Sequence, residues 1–228
     1  PEQQGTQGLH RIREHHKAQR TAAINAVRGL LREFGFAFPA GADKVRPATL
    51  AALEDGDNDI PMALRHALAG LLDQIAACQE AMAAIEKQLA DIAKLDTRCQ
   101  RLMAASGVGL ITATALSAGI GDFARFPSGR HFASALGLTP REYSSGGTRK
   151  LGRITKQGDV FLRTLLIHGA RSALIVAATA RKRGQPLDRT QQWALALANK
   201  TARRLWAAEH HGASLDPEHV SRRVERGG

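Results

Sequence analysis

Residues 64–92 read LRHALAGLLDQIAACQEAMAAIEKQLADI, with apolar positions at Leu64, Leu68, Leu71, Ile75, Cys78, Met82, Ile85, Leu89 and Ile92. The steps alternate between four and three residues, the spacing of a heptad seam, which predicts one long amphipathic helix. At ~1.5 Å per residue such a helix runs ~50 Å, too far for a small domain to cover on every side. It therefore needs a partner helix. That partner is either a second copy, in an intermolecular coiled coil, or an upstream helix of the same chain folded back as an antiparallel hairpin. Asp73, Glu80, Glu86 and Asp91 lie on its polar faces.

The upstream candidate is residues 6–34, where Leu9, Ile12, Ile24, Val27, Leu30, Leu31 and Phe34 are apolar and Gly35 stands as the stop. Its first half is basic, with Arg11, Arg13, Lys17 and Arg20. Residues 35–61, rich in Gly, Pro and Asp, are expected to form a loop. Asp55-Gly56-Asp57-Asn58-Asp59 imitates the opening of a calcium loop, but Ile60 stands where Gly is required and His66 where Glu is required. A solvated turn that caps the next helix accounts for it better.

The 228 residues carry 32 Lys and Arg against 21 Asp and Glu, a formal charge of +11, and 43% are hydrophobic, enough for a buried core. Between Arg125 and Arg204 there are 16 cations and 3 acids, so the surplus is local and not a uniform coat. A polyanionic partner is expected there, because cations that neutralise phosphates release condensed counterions. The two cysteines, Cys78 and Cys99, lack zinc-site spacing, are too few for a disulfide scaffold and fit a reducing cytosol. No Gly-x-x-x-x-Gly-Lys phosphate loop occurs. No apolar run approaches the ~20 residues of a bilayer span, so a cytoplasmic location without a membrane is expected. The chain opens on Pro1, without Met and inside a polar stretch, and an amino-terminal portion is expected to be missing.

Helices are predicted at about residues 110–118, 128–136, 159–182 and 188–209, with Ser128, Asp159 and Asp188 as caps. Ser106-Gly107-Val108-Gly109 joins two apolar helical segments in the manner of a helix-hairpin-helix. Gly107 and Gly109 allow a tight turn whose amides, at a helix amino terminus, can hold a phosphate. Residues 138–158 carry too many glycines, hydroxyls and cations for a core element and are expected to form a flexible hairpin loop. This places Ser144 and Ser145 beside Arg141, Arg149, Lys150, Arg153 and Lys156. Serine and fixed cations together suit attack on a phosphodiester, since the charge that builds on the phosphoryl oxygens must be met by positioned donors. Glu142 is the only local carboxylate, and His131 and His168 fall on predicted helices as packing residues.

Leu102–Leu116 with its Gly-Val-Gly turn, Phe126-Pro127-Ser128-Gly129-Arg130-His131-Phe132-Ala133, Leu136–Gly147 and Leu151–Asp159 with Leu162-Arg163 together resemble the carboxy-terminal transposase domain of the insertion sequence 110 family. The resemblance implies a two-part recombinase of bacterial mobile elements. In it a RuvC-like domain with an Asp-Glu-Asp-Asp metal site precedes a coiled-coil arm and a helical, serine-bearing domain. It also implies DNA substrates, a structured bridge RNA as guide, and action as a homo-oligomer through the coiled coil. The family's serine falls on Ser145, which precedes Gly146, with Ser144 as the neighbouring alternative; its implied role is attack on a DNA phosphate to give a phosphoserine intermediate. Gly107, Gly109, Arg141, Arg149, Lys150, Arg153, Lys156 and Arg163 are the expected nucleic-acid contacts.

The expected fold is mainly α: long helices in a coiled-coil arm, then a helical domain with the helix-hairpin-helix-like turn and the serine hairpin. Expected boundaries are 1–57 for an amino-terminal helix and linker, 58–97 for the coiled-coil helix, 98–212 for the transposase domain and 213–228 for a polar tail. No acidic strand signature occurs, so the RuvC-like domain and its Mg are expected outside these residues. No cofactor or metal site is expected within them, and little recombinase activity is expected of them alone. The competing reading is a non-catalytic module for nucleic-acid binding and dimerisation.

Overall fold

The computed structural model describes residues 1–148, 150–182 and 194–212. Among these it is mainly helical, with α1 (Glu2–Glu33), α2 (Val45–Glu54), α3 (Met62–Leu95), α4 (Thr97–Met103), α5 (Leu110–Ile120), α6 (Gly129–Ala135), α7 (Val160–Lys182) and α8 (Ala194–His211). One antiparallel sheet joins β1 (Pro140–Glu142) to β2 (Leu151–Ile154). The chain divides into two compact units, Gly8–Gln88 on the one hand and Pro1–Gln7 with the described residues from Leu89 onward on the other. The expected cap Asp188 and the polar tail 213–228 lie outside the described residues.

In the unit Gly8–Gln88 the heptad seam is covered from inside the chain. Leu68, Leu72 and Ile75 of α3 share one buried cluster with Ala23, Ile24, Val27 and Leu31 of α1. Arg13 pairs with Glu86 at 2.7 Å and the Cys78 thiol faces Gln19 Oε1 at 3.9 Å. Contacts therefore move forward along α1 as they move back along α3, which is an antiparallel helical hairpin. Of the two partners open to the seam, the structure supplies the intramolecular one. Each fully buried Leu or Ile here contributes roughly 1.5–3 kcal/mol.

α1 stops where Gly35 permits. Gly35 has φ +80°, its amide donates to Arg32 O (3.0 Å) and the Phe36 amide donates to Leu31 O (3.0 Å), the two bonds of a Schellman motif. The segment expected to be loop contains α2, a correction. Pro47 sits in the first turn of α2, where its missing N–H is no loss, and Val45, Thr49 and Ala52 form a buried stripe at helical spacing. The acidic turn that follows is held by a cation from α3: the Arg65 guanidinium donates to Leu53 O (2.6 Å), Asp55 O (2.8 Å) and Ile60 O (3.0 Å).

In the other unit α5 is buried almost all round, from Thr112 to Leu116 and at Ala118 and Ile120. Asp96 caps α4 through the Arg98 amide (2.8 Å) and also accepts from Cys99 Sγ (3.2 Å) and from Ser117 Oγ of α5 (2.6 Å), sewing the two helices together. Burial pushes the Asp96 carboxyl up, but those hydrogen bonds outweigh it and hold the group below its ordinary value. Burial, and then the Asp96 carboxylate, push the Cys99 thiol up to about 12. Glu209 of α8 accepts from Arg98 (3.2 Å) and Arg101 (2.9 Å) of α4. Phe123, Phe126 and Phe132 pack with centroids 5.2 and 5.1 Å apart, and Trp206 Nε1 donates to Phe126 O (2.9 Å). The predicted caps Ser128 and Asp159 both act, accepting from the amides of His131 and Leu162.

Within α7, Val160–Thr179 is by length and composition long and apolar enough to cross a bilayer, a correction to the expectation that no apolar run approaches that length. Arg163, His168 and Arg171 interrupt it, and its Leu162, Leu166 and Ala170 pack into the core of the unit.

His10 of α1 is 3% exposed, and burial, reinforced by the Arg13 charge, lowers its pKa to about 4. The folded state thus keeps His10 neutral while the unfolded chain protonates it near 6.5. Stability is full above pH 6.5 and falls as pH drops from 6.5 towards 4, by no more than roughly 3 kcal/mol. Urea denaturation at pH 7.5 and 4.5 should show this loss, and His10→Gln should reduce it.

Candidate nucleic-acid interface

The two glycines of the Gly-Val-Gly turn do different work. Gly107 has φ +82°, and a Cβ there would come 2.6 Å from Gly169 O of α7, so the backbones touch where only glycines fit. Val108 is buried. Gly109, by contrast, has open space around the place a Cβ would take, and no side chain caps the α5 terminus that it begins. The turn is thus a packing device at Gly107 and an accessible helix amino terminus at Gly109.

The serine hairpin is a β-ribbon with a tight tip. Pro140 pairs with Ile154 and Glu142 with Leu151, with a register shift between them. The Tyr143 amide donates to Lys150 O (2.8 Å), and the Thr148 amide to Ser145 O (3.1 Å). Gly146 and Gly147 both have positive φ, +57° and +79°, as the two central residues of a type I′ turn must. Ser145 is the first residue of that turn and is exposed. Ser144 is engaged: its hydroxyl donates to Glu142 Oε1 (2.8 Å) and accepts from the Lys150 amide (3.2 Å). No hydrogen bond of the Ser145 hydroxyl occurs among the described residues.

Arg141, Lys150, Arg153 and Lys156 are all exposed along the ribbon and its exit, while Arg149 lies outside the described residues. Arg163 is placed differently. It is 7% exposed, and its Nη1 donates to Leu136 O (3.3 Å) and Gln157 O (3.4 Å), one carbonyl on each arm at the root of the ribbon. Gly137 (φ +67°) and Gly158 (φ +92°) lie beside these carbonyls, and a Cβ on either would collide with the opposite arm's backbone. Lys156, also at the root, adopts φ +57°, a left-handed conformation that side chains rarely accept. One carboxylate among five cations is the wrong donor set for a hard divalent cation, which takes several oxygen ligands.

Residues 99–186, which contain every one of these groups, match the family model described as Transposase IS116/IS110/IS902 family. A probable family 20 transposase of Pseudomonas aeruginosa is 41% identical over 223 residues, 90% of this chain and 63% of that protein. Residues 99–186 are thus similar to the domain of this transposase family. The transposase for insertion sequence element IS1111A of Coxiella burnetii is 35% identical, over 90% of this chain and 58% of its own length. That for IS1328 of Yersinia enterocolitica is 32% identical, over 92% and 64%. The chain spans about three fifths of the length of these transposases.

Within the transposase domain, two features escaped the sequence reading. The bond from the Lys150 amide to the Ser144 hydroxyl depends on strand register, which a Gly-rich segment specifies weakly. The packing of Gly107 on Gly169 joins residues far apart in sequence, and Gly169 carries no signal beyond being a glycine inside a helix. Replacing Arg163 by Ala should destabilise the domain by about 2–3 kcal/mol, the scale of a lost buried charged donor. In hydrogen exchange the amides of Thr155 and Lys156 should lose protection first.

Proposed function

We propose that this chain supplies the DNA-handling, serine-bearing part of an insertion-sequence transposase and that Ser145 is its nucleophile. The observation that carries the reading is the contrast at the tip: Ser144 is tied to Glu142 and Lys150, whereas the Ser145 hydroxyl is exposed on a turn flanked by cations. In the proposed step Ser145 Oγ bonds to phosphorus, the bond from phosphorus to a deoxyribose oxygen breaks, that oxygen takes up a proton, and the serine proton passes to water. Arg141, Lys150 and Arg153 oppose the phosphoryl charge, with Lys156 in a supporting position. Gly109 offers the α5 amides to a neighbouring phosphate, and Gly107 and Arg163 hold the frame in which these groups sit.

The intact protein is proposed to carry out transposition in the bacterial cytoplasm, with a metal-binding half outside these residues, a structured guide RNA, and self-association. Because α1 covers the heptad seam, self-association is assigned to the outer faces of the α1–α3 hairpin. These residues alone are proposed to bind DNA with little recombination.

Denaturing gels of the full-length protein with a labelled element end should reveal a covalent protein–DNA adduct. It should vanish in Ser145→Ala and persist in Ser144→Ala. Loss only in Ser144→Ala would transfer the role to the Ser144–Glu142 pair, and binding with no adduct in any variant would favour the non-catalytic module. For the 228-residue chain, log affinity for duplex DNA should fall linearly with log salt, and Arg141→Ala, Lys150→Ala or Arg153→Ala should each flatten the slope by about 0.9, the contribution of one phosphate contact.

A further inference from the structure

Tyr143 is the one tyrosine of the chain and stands two residues before Ser145. It is 62% exposed, and its amide is bonded to Lys150 O of the facing arm at 2.8 Å. Across the ribbon is Gly152, where a Cβ would come 2.7 Å from Tyr143 Cε2 and 3.4 Å from Cδ2. The ring thus lies against strand β2 at a position that only glycine leaves empty. Its Cδ2–Cε2 edge is the part nearest Gly152, most of the residue is exposed, and no aromatic partner or cation covers the ring among the described residues.

From this placement we infer that Tyr143 is a stacking platform for an unpaired DNA base beside the phosphate that Ser145 addresses. The inference rests on the reading of the ribbon as a DNA-facing element and adds the state of the DNA it takes. A flat π-face amid exposed Arg141, Lys150 and Arg153 is the combination by which proteins hold single strands, with aromatic rings for bases and cations for the backbone. Bases inside an intact duplex have no free face to offer, so the occupant is a base in a locally opened strand. Two residues of extended chain span at most about 7 Å. This is the rise of about two stacked nucleotides at 3.4 Å each. The stacked base accordingly lies within one or two nucleotides of the attacked phosphate.

The test compares the 228-residue chain on a 12-nucleotide deoxythymidine strand and on an abasic strand of the same length, by fluorescence anisotropy. The wild type should bind the base-bearing strand about 10-fold more tightly, in line with the worth of one stacked base. Tyr143→Phe should keep that ratio. Tyr143→Ala should bring it close to one while leaving the abasic affinity unchanged. A ratio that survives Tyr143→Ala overturns the platform. A uridine strand that shows an equal Tyr143-dependent gain overturns the assignment to DNA. If neither the strands nor a duplex binds at all, the DNA-facing reading fails and the platform with it.

Discussion

The Arg163 guanidinium fixes the working end of this molecule. It is buried at the root of the β-ribbon and donates to one carbonyl on each arm, Leu136 O and Gln157 O. Gly137 and Gly158 let the two arms approach closely enough for one side chain to reach both. A buried guanidinium without such acceptors would be strongly unfavourable, so the charge that holds the root together also demands that the root stay closed. Everything beyond it, from Arg141 round to Arg153, inherits its position from that closure. The root in turn rests on the helical core through Leu136, Leu138, Leu162 and Leu166 and through Asn199, whose amide donates to Leu138 O (3.1 Å).

Charge is partitioned along the same lines as structure. The unit Gly8–Gln88 contains 10 cations and 10 acids, so the whole excess of +11 belongs to the remainder of the chain. In the balanced unit cations are used inward: Arg65 gathers the carbonyls of the acidic turn and Arg13 meets Glu86. In the ribbon they face outward with few acids to neutralise them, an arrangement that repels itself. The likeness of residues 99–186 to a transposase family model and this outward charge are independent observations.

The long helices were legible because heptad and helical periods are local and repeated many times over residues 6–34 and 64–92, and the caps Ser128 and Asp159 because capping needs only adjacent residues. α2 was not, since Pro47 and the surrounding Gly and Asp read as loop chemistry, and only the buried stripe of Val45, Thr49 and Ala52 reveals why that segment coils. The ribbon was legible as cationic and serine-bearing from composition. What composition could not distinguish was cations facing solvent from one turned inward. Arg141 and Arg163 are chemically identical in the sequence and opposite in the fold. The partner of the heptad seam was undecided for a related reason: a seam specifies that something must cover it and not whose chain does.

The two cysteines have a practical consequence. Cys78 and Cys99 are both buried, and Cys99 holds its proton up to about 12. Thiolate is the form that reacts with maleimides and disulfide reagents, so Cys99 is silent to them at neutral pH and Cys78 is shielded from them by packing. The native chain is therefore close to a blank background for site-directed labelling. A reporter thiol introduced at an exposed position such as Thr148 would respond as the main reactive group, which would let the motion of the ribbon tip be followed by spin or fluorescence probes without first removing either natural cysteine.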